Sequence, residues 1–252
     1  MKGMPVGSVG MLEPIVVSFV IPAYNEEVAL PRTLGALNQA AESSGEAFEV
    51  LVVDDASTDN TPAVARAHGA KVVSASRRQI AGSRNAGAAA AAGEFLIFVD
   101  ADTVVSPEAV RAAIGAMRNG ATGGGCAFRF DRPMPLYGRI MEAFAPPAYR
   151  LLGLASGCFL FCTRTAFDAA GGFDETLFGA EEAAMSRVLR RQGRFVILRE
   201  QVTTSARKLR SHSAGEILGL LVKLAFTRGR SLRRRDGLDL WYGPRRADPG
   251  GG

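Results

Sequence analysis

Histidine is nearly missing from this 252-residue sequence, and the two present, His68 and His212, lie too far apart for an obvious zinc site. Cysteine is scarce as well: Cys126, Cys158 and Cys162 are the full set. An odd count whose one close pair is C-x3-C fits neither a disulfide framework nor a C-x2-C metal or redox pair, so all three read as small core residues. No G-x-G-x-x-G follows the first apolar run and no G-x-x-x-x-G-K-[ST] occurs, which argues against dinucleotide oxidoreductases and P-loop nucleotide hydrolases. Long apolar runs are lacking too. The best, Ile217 to Phe226, is interrupted by Lys223 and falls short of the roughly 18 to 20 residues a membrane span needs. Between Met1 and Met11, Lys2 is followed by no apolar core, so no secretory signal and a cytoplasmic location are expected.

The sequence does have the material for a folded domain. With 47% hydrophobic and 22% charged residues, global disorder is excluded, and the length suits one α/β domain. Charge is lopsided. The net +5 combines +8 over residues 207–246 with −3 elsewhere, leaving a basic end that could meet nucleic acid, an anionic bilayer or water.

Short β-branched runs at Ile15 to Ile21, Phe48 to Val53, Lys71 to Ser74 and Phe95 to Val99 read as buried strands. Between them, helices are expected over Ala29 to Ser43, from Ser57 or Thr61 to His68, and from Ser83 to Ala92. This alternation predicts an α/β fold, a mostly parallel sheet with helices on both faces. Further on, Thr122 to Phe130, Gly157 to Thr163 and Phe195 to Leu198 read as strands, and Pro107 to Asn119 and Glu181 to Gln192 as helices. Pro135 to Leu152 is apolar, aromatic and proline-broken, with no element assigned. The organisation expected is a flexible 1–13, a catalytic domain over 14–210, a basic amphipathic helical extension over 211–246 and a disordered 247–252.

In such sheets ligands sit beyond the carboxyl ends of the strands, and those ends read Pro22-Ala23-Tyr24-Asn25-Glu26, Asp54-Asp55-Ala56-Ser57 and Asp100-Ala101-Asp102. Two carboxylates one residue apart, Asp100 and Asp102, suit a hard cation, Mn2+ or Mg2+, that takes its remaining ligands from phosphates. The competing reading is an aspartate that caps the helix entered at Ser106-Pro107.

The blocks VSFVIPAYNEE (17–27), VVDDASTDNT (52–61), RNAG (84–87) and FLIFVDADT (95–103) stand in an order and spacing that resembles the family-two glycosyltransferases of GT-A fold. GGFDE (171–175) followed by Glu181-Glu182 extends the likeness. The resemblance implies an inverting, non-processive, metal-dependent transfer of a sugar from a nucleotide sugar, UDP-linked by family expectation, to an acceptor hydroxyl. It places Pro22, Ala23, Tyr24 and Glu26 in the nucleoside pocket, with Glu26 on a ribose hydroxyl and Asp54 on the base. The region of Ala81, Arg84 and Asn85 would close over ribose and sugar. Asp102, supported by Asp100 and next to Ala101, would hold the metal, and Arg207 or Lys208 would close on the diphosphate. The family's base is the Asp of a Glu-Asp pair. Here that position is Glu182, preceded by Glu181, so the carboxylate stays and its reach grows by a methylene.

Two other readings stay open: a nucleotide-sugar binding protein that has lost catalysis, motivated by Glu182, and a sugar-nucleotide pyrophosphorylase, whose glycine-rich phosphate loop is unlike Ile21 to Asn25. The stripe Ile217, Leu220, Leu221, Leu224 beside Arg228 to Arg235 fits either a helix packed on the domain, the preferred reading, or peripheral contact of 216–235 with the inner face of a membrane bearing a lipid-linked acceptor. Nucleic acid is not expected as a partner, because no aromatics are interleaved with the arginines and Trp241-Tyr242 stand alone after them.

Overall fold

A computed structural model describes residues 15–227, 230–243 and 248. The expected flexible 1–13 lies outside the described residues, as does the expected tail 247–252 apart from residue 248. The side chains of Leu221 and Leu224 from the expected stripe fall outside them too.

Strands β1 (Val17–Ala23), β2 (Phe48–Asp55), β3 (Lys71–Ala75) and β4 (Phe95–Val99) are joined by helices α1 (Leu30–Glu42), α2 (Thr61–Ala67) and α3 (Ile80–Ala90). There follow β5 (Thr103–Val104), α4 (Pro107–Arg118), β6 (Ala121–Phe130), α5 (Leu136–Leu152), β7 (Phe159–Thr163), α6 (Arg164–Ala170), α7 (Glu181–Gln192) and β8 (Arg194–Thr204). The chain continues through α8 (Arg207–Ser211), α9 (Ala214–Phe226), a 3-10 turn (Arg230–Arg233) and α10 (Asp239–Tyr242).

The strands form one sheet in the order β3-β2-β1-β4-β7-β6-β8-β5. Neighbours run parallel except where β7 meets β4 and β6 and where β5 meets β8. Residues of one strand alternate between two cores, as a pleat requires. Phe19, Ile21, Ile97 and Val99 face α1 and α4, which supply Leu34, Leu37, Val110 and Ile114. Val20, Leu96 and Phe98 face α3 and α7, with Ala81, Met185 and Leu189. Helix α3 lies so close to the sheet that a Cβ on Gly87 would sit 2.7 Å from Val53 Cγ2 and collide with Val20.

The chain leaves β1 toward β2 and β3, then crosses back to place β4 on the other side of β1. Connections therefore diverge on either side of the β1/β4 seam, which opens a crevice at the carboxyl ends of these strands. Loops ending in Glu26 and Asp102 meet there.

One region differs from expectation. Residues 136–152 form a 17-residue helix despite Pro146 and Pro147 inside it, with only Gly138 buried. Leu136, Phe144 and Leu151 are 73%, 72% and 88% exposed. A helix this open to solvent can lend the carbonyls freed by proline to water, which relaxes the usual prohibition. On α9, Ile217 of the stripe is buried and Leu220 is half-buried, while Leu218, Val222 and Phe226, outside the stripe, are exposed. Among the described residues, no helix is long and apolar enough to cross a membrane.

Candidate active site

The loop after β1 is stitched to the loop after β2. Asn25 N–H donates to Ser57 Oγ at 3.0 Å, Glu26 N–H to Thr61 Oγ1 at 2.8 Å and Glu27 N–H to Asp59 Oδ2 at 3.1 Å. Thr58 N–H returns a bond of 2.8 Å to Asn25 Oδ1, and Asn25 holds a left-handed φ of 51° that Asn tolerates. The hydroxyls and carboxylate of the D-A-S-T-D-N-T block thus fix the backbone that presents Tyr24 and Glu26.

A cleft opens along the β1/β4 seam, lined by Pro22, Ala23, Tyr24 and Glu26, by Asp55, by Arg78, Gln79, Ile80 and Ser83, by Asp100, Ala101 and Asp102, and by Lys208, Trp241 and Tyr242. Eight residues named from the sequence meet here: Pro22, Ala23, Tyr24, Glu26, Asp100, Ala101, Asp102 and Lys208. The aspartate of β2 that lines the cleft is Asp55, not Asp54. Asp54 accepts Ser57 N–H at 3.2 Å and shapes the turn, because successive residues of a strand point to opposite faces. Asp55 accepts the N–H groups of Arg77, Arg78 and Gln79 and the Ser83 hydroxyl, each at 2.8 Å, and so anchors the loop that enters α3.

From α3 the cleft takes Ile80 and Ser83 rather than Ala81, Arg84 and Asn85, which the helical twist turns away from it. Ala81 packs in the core. Asn85 accepts Phe173 N–H at 2.8 Å and donates to Phe173 O and Glu175 Oε1 at 3.0 Å each, tying α3 to the G-G-F-D-E loop. Tyr24 presents its ring to the Arg78 guanidinium, which lies 3.1 Å from the ring centroid.

Arg84 is 2% exposed and joins three elements. It donates to Glu181 Oε1 at 2.7 Å, to Asp100 Oδ1 at 3.0 Å and to Gly157 O at 2.8 Å. Glu181 is thereby committed to an ion pair. Glu182, its neighbour on the first turn of α7, borders the same corner: a Cβ on Gly157 would lie 3.5 Å from Arg84 Nη2 and 3.7 Å from Glu182 Cδ. Burial, reinforced by the charge of Glu181 and opposed by Arg84, pushes the Glu182 carboxyl up to about 8. Burial also raises the Asp100 carboxyl, with Arg84 pulling it back and Asp102 adding to the rise.

Asp100 and Asp102 flank a turn held from two sides, by Thr33 Oγ1 donating to Ala101 O at 2.9 Å and by Asp100 N–H donating to Cys158 O at 3.3 Å. Arg207 binds Glu26 through two parallel hydrogen bonds of 2.9 and 2.7 Å and lies 3.6 Å from Asp102 Oδ2. Asp100 and Asp102 are two hard carboxylates bordering one cleft, a donor type that suits a cation completed by a ligand's oxygens.

Residues 18–167 match the model of the family described as "Glycosyl transferase family 2". The chain belongs to glycosyl transferase family 2.

Other comparisons agree with that family and its GT-A fold. Over 140 residues the chain is 34% identical to validoxylamine A glucosyltransferase of Streptomyces hygroscopicus subsp. limoneus, covering 51% of this chain and 31% of the relative. Over 101 residues it is 37% identical to undecaprenyl-phosphate 4-deoxy-4-formamido-L-arabinose transferase of Shewanella sediminis, covering 37% of this chain and 30% of that protein. The matched stretches thus span about a third of the length of these curated relatives. Among solved structures, the mannosyltransferase PcManGT of Pyrobaculum calidifontis, in complex with GDP-Man and Mn2+, superposes with a TM-score of 0.67 at 18% identity, covering 87% of this chain and 64% of that one. Glucosyl-3-phosphoglycerate synthase of Mycobacterium tuberculosis, with Mn2+, UDP and glucosyl-3-phosphoglycerate, gives 0.58 at 22% identity, covering 91% and 80%.

Asp55, Arg78, Gln79, Ile80, Ser83, Trp241 and Tyr242 are cleft residues that sequence reasoning did not place. For Asp55 the signal was the Asp-Asp pair itself. For Trp241 and Tyr242 it was an aromatic pair in a segment otherwise dominated by arginine.

Proposed function

We propose that this chain is an inverting glycosyltransferase that moves a sugar from a nucleoside diphosphate donor, UDP-linked by preference, to an acceptor hydroxyl. The observation that carries the reading is the corner where Asp100, at the end of β4, and Glu182, at the start of α7, meet around Arg84, with Asp102 bordering the same cleft as Asp100. Solved neighbours complexed with GDP-Man and Mn2+ or with UDP and Mn2+ share this fold and support both donor class and metal.

Asp100 and Asp102 would hold Mn2+ or Mg2+, which when bound offsets charge on the diphosphate leaving group. Glu182 takes the proton of the acceptor hydroxyl. The acceptor oxygen then bonds to the anomeric carbon from the face opposite the diphosphate. The bond from that carbon to the phosphate oxygen breaks, and its electron pair leaves with the nucleoside diphosphate. Lys208, in the cleft lining, and Arg207, paired with Glu26, would offset that growing negative charge. Glu26, held by Arg207, is the residue assigned to a ribose hydroxyl. The ion pair of Glu181 with Arg84 supports Glu182 rather than Glu181 as the base.

The acceptor enters from the side of α5 and α7. A lipid-linked acceptor is supported by the L-arabinose transferase relative, whose name carries undecaprenyl phosphate, and by the apolar residues exposed on α9 beside the basic segment within 216–235.

Nucleotide release from a panel of nucleotide sugars with MnCl2 tests the reading in the wild type and in Glu182→Gln. Release that depends on Glu182 for one donor is expected. No release from any donor, or equal release in both proteins, counts against an enzyme.

A further inference from the structure

The segment after α9 does not trail away from the domain. It returns and closes one side of the cleft. Phe178 N–H donates to Leu232 O at 2.7 Å, Arg233 Nη1 donates to Thr176 Oγ1 at 2.6 Å, and Leu238 is fully buried. These clamps fasten the strap to the loop that leads into α7 and its carboxylates. Beyond them α10 delivers Trp241 and Tyr242 into the lining of the cleft that Tyr24 and Arg78 also border. Tyr242 is seated edge-on against Phe178, with ring centroids 5.7 Å apart at 76°, and its hydroxyl oxygen lies 3.5 Å from the N–H of Ile80.

We propose that Trp241 and Tyr242 form a binding wall for the hexosyl ring of the donor, so that the strap reads the sugar while the β1 and β2 loops hold the nucleotide. This rests on the nucleotide-sugar reading above. Division of labour follows from the surroundings. At the nucleoside end, Tyr24 is paired with Arg78 and sits on the stitched loop that carries Glu26. Tyr242 instead bridges Phe178, on the chain entering α7, and the Ile80 N–H at the start of α3, with Trp241 beside it in the lining, and a sugar whose anomeric carbon meets Glu182 would lie toward α7. A pyranose ring has C–H faces that pack on an indole and equatorial hydroxyls that need polar partners. An aromatic wall carrying one phenol, with Lys208 and Asp100 in the same cleft, offers both.

The decisive quantity is a ratio: affinity for a nucleotide sugar over affinity for its free nucleoside diphosphate, by calorimetric titration with MnCl2. The pairs are UDP-glucose with UDP, GDP-mannose with GDP and dTDP-glucose with dTDP. For the pair the wild type binds, Trp241→Ala should lower the ratio about tenfold, and Trp241→Phe, which keeps an aromatic face, about threefold or less. Because the free diphosphate measures whether the cleft is intact, a variant that damages folding lowers both affinities and leaves the ratio alone. An unchanged ratio in either variant that keeps the wild-type affinity for the free diphosphate overturns the wall. If the wild type binds neither member of any pair, the nucleotide-sugar reading itself fails and takes this inference with it.

Discussion

Arg84 and Glu181 form an ion pair at 2.7 Å with side chains only 3% and 5% exposed, and the same guanidinium reaches Asp100. A buried charge network of this kind holds α3, β4 and α7 in one geometry, and its cost appears when one member is removed.

Arg84→Ala leaves Glu181 buried without its counter-charge and should cost about 3 to 5 kcal/mol in urea unfolding. Arg84→Lys should restore less than half, since an ammonium lacks the fork that reaches Glu181, Asp100 and Gly157 together. A loss under about 1 kcal/mol for Arg84→Ala would place the network outside the stabilising core.

Arg207→Ala removes a partner of Glu26 and a cation near Asp102, both inside the cleft. Donor KM should rise or kcat fall, by about tenfold or more, as expected for a charge-assisted bidentate contact. Unchanged steady-state kinetics would remove Arg207 from donor binding.

Glu182 must be ionised to accept a proton, so kcat/KM should climb with pH and level off above about 8. Stability runs the other way. The carboxyl is raised from its ordinary 4.5, so its stabilising contribution is complete below that pH and is lost as pH rises through about 8. Glu182→Gln, which stays neutral, should gain on the wild type in thermal unfolding across that window and remain ahead above it. Parallel curves for the two proteins from pH 4.5 to 9 would contradict the raised value.

Gly87→Ala forces a methyl into Val20 and Val53 at the contact between α3 and the sheet, and should destabilise by about 1 to 3 kcal/mol. Gly115→Ala, on α4 with nothing within 4 Å of its would-be Cβ, should be neutral or stabilising and serves as the control.

The first half of the fold was legible because the strands are short apolar, largely β-branched runs, the first helix carries Leu30, Leu34 and Leu37 at helical spacing, and Ser57 or Thr61 marks the start of the second. β1 to β4 and α1 to α3 appear in the expected order, with ends displaced by a few residues. Helix α5 was illegible because Pro146 and Pro147 argue against a helix, and only solvent exposure makes them tolerable. In the cleft, contiguous motifs such as Pro22 to Glu26 and Asp100 to Asp102 could be read, since one strand end presents them together. Trp241 and Tyr242 could not, since their place depends on Leu232, Arg233 and Leu238 docking far back along the chain.

Capture of a divalent cation by the Asp100-Ala101-Asp102 turn, completed by the donor's phosphates, is tested most directly by titrating the nucleotide sugar into wild type and Asp102→Asn, each with MnCl2 and with EDTA. The wild type should bind at least tenfold more tightly with Mn2+ than with EDTA, and Asp102→Asn should lose most of that gain, roughly 1.4 kcal/mol or more. Equal affinity of the wild type in Mn2+ and EDTA, or an undiminished Mn2+ effect in Asp102→Asn, would contradict the assignment.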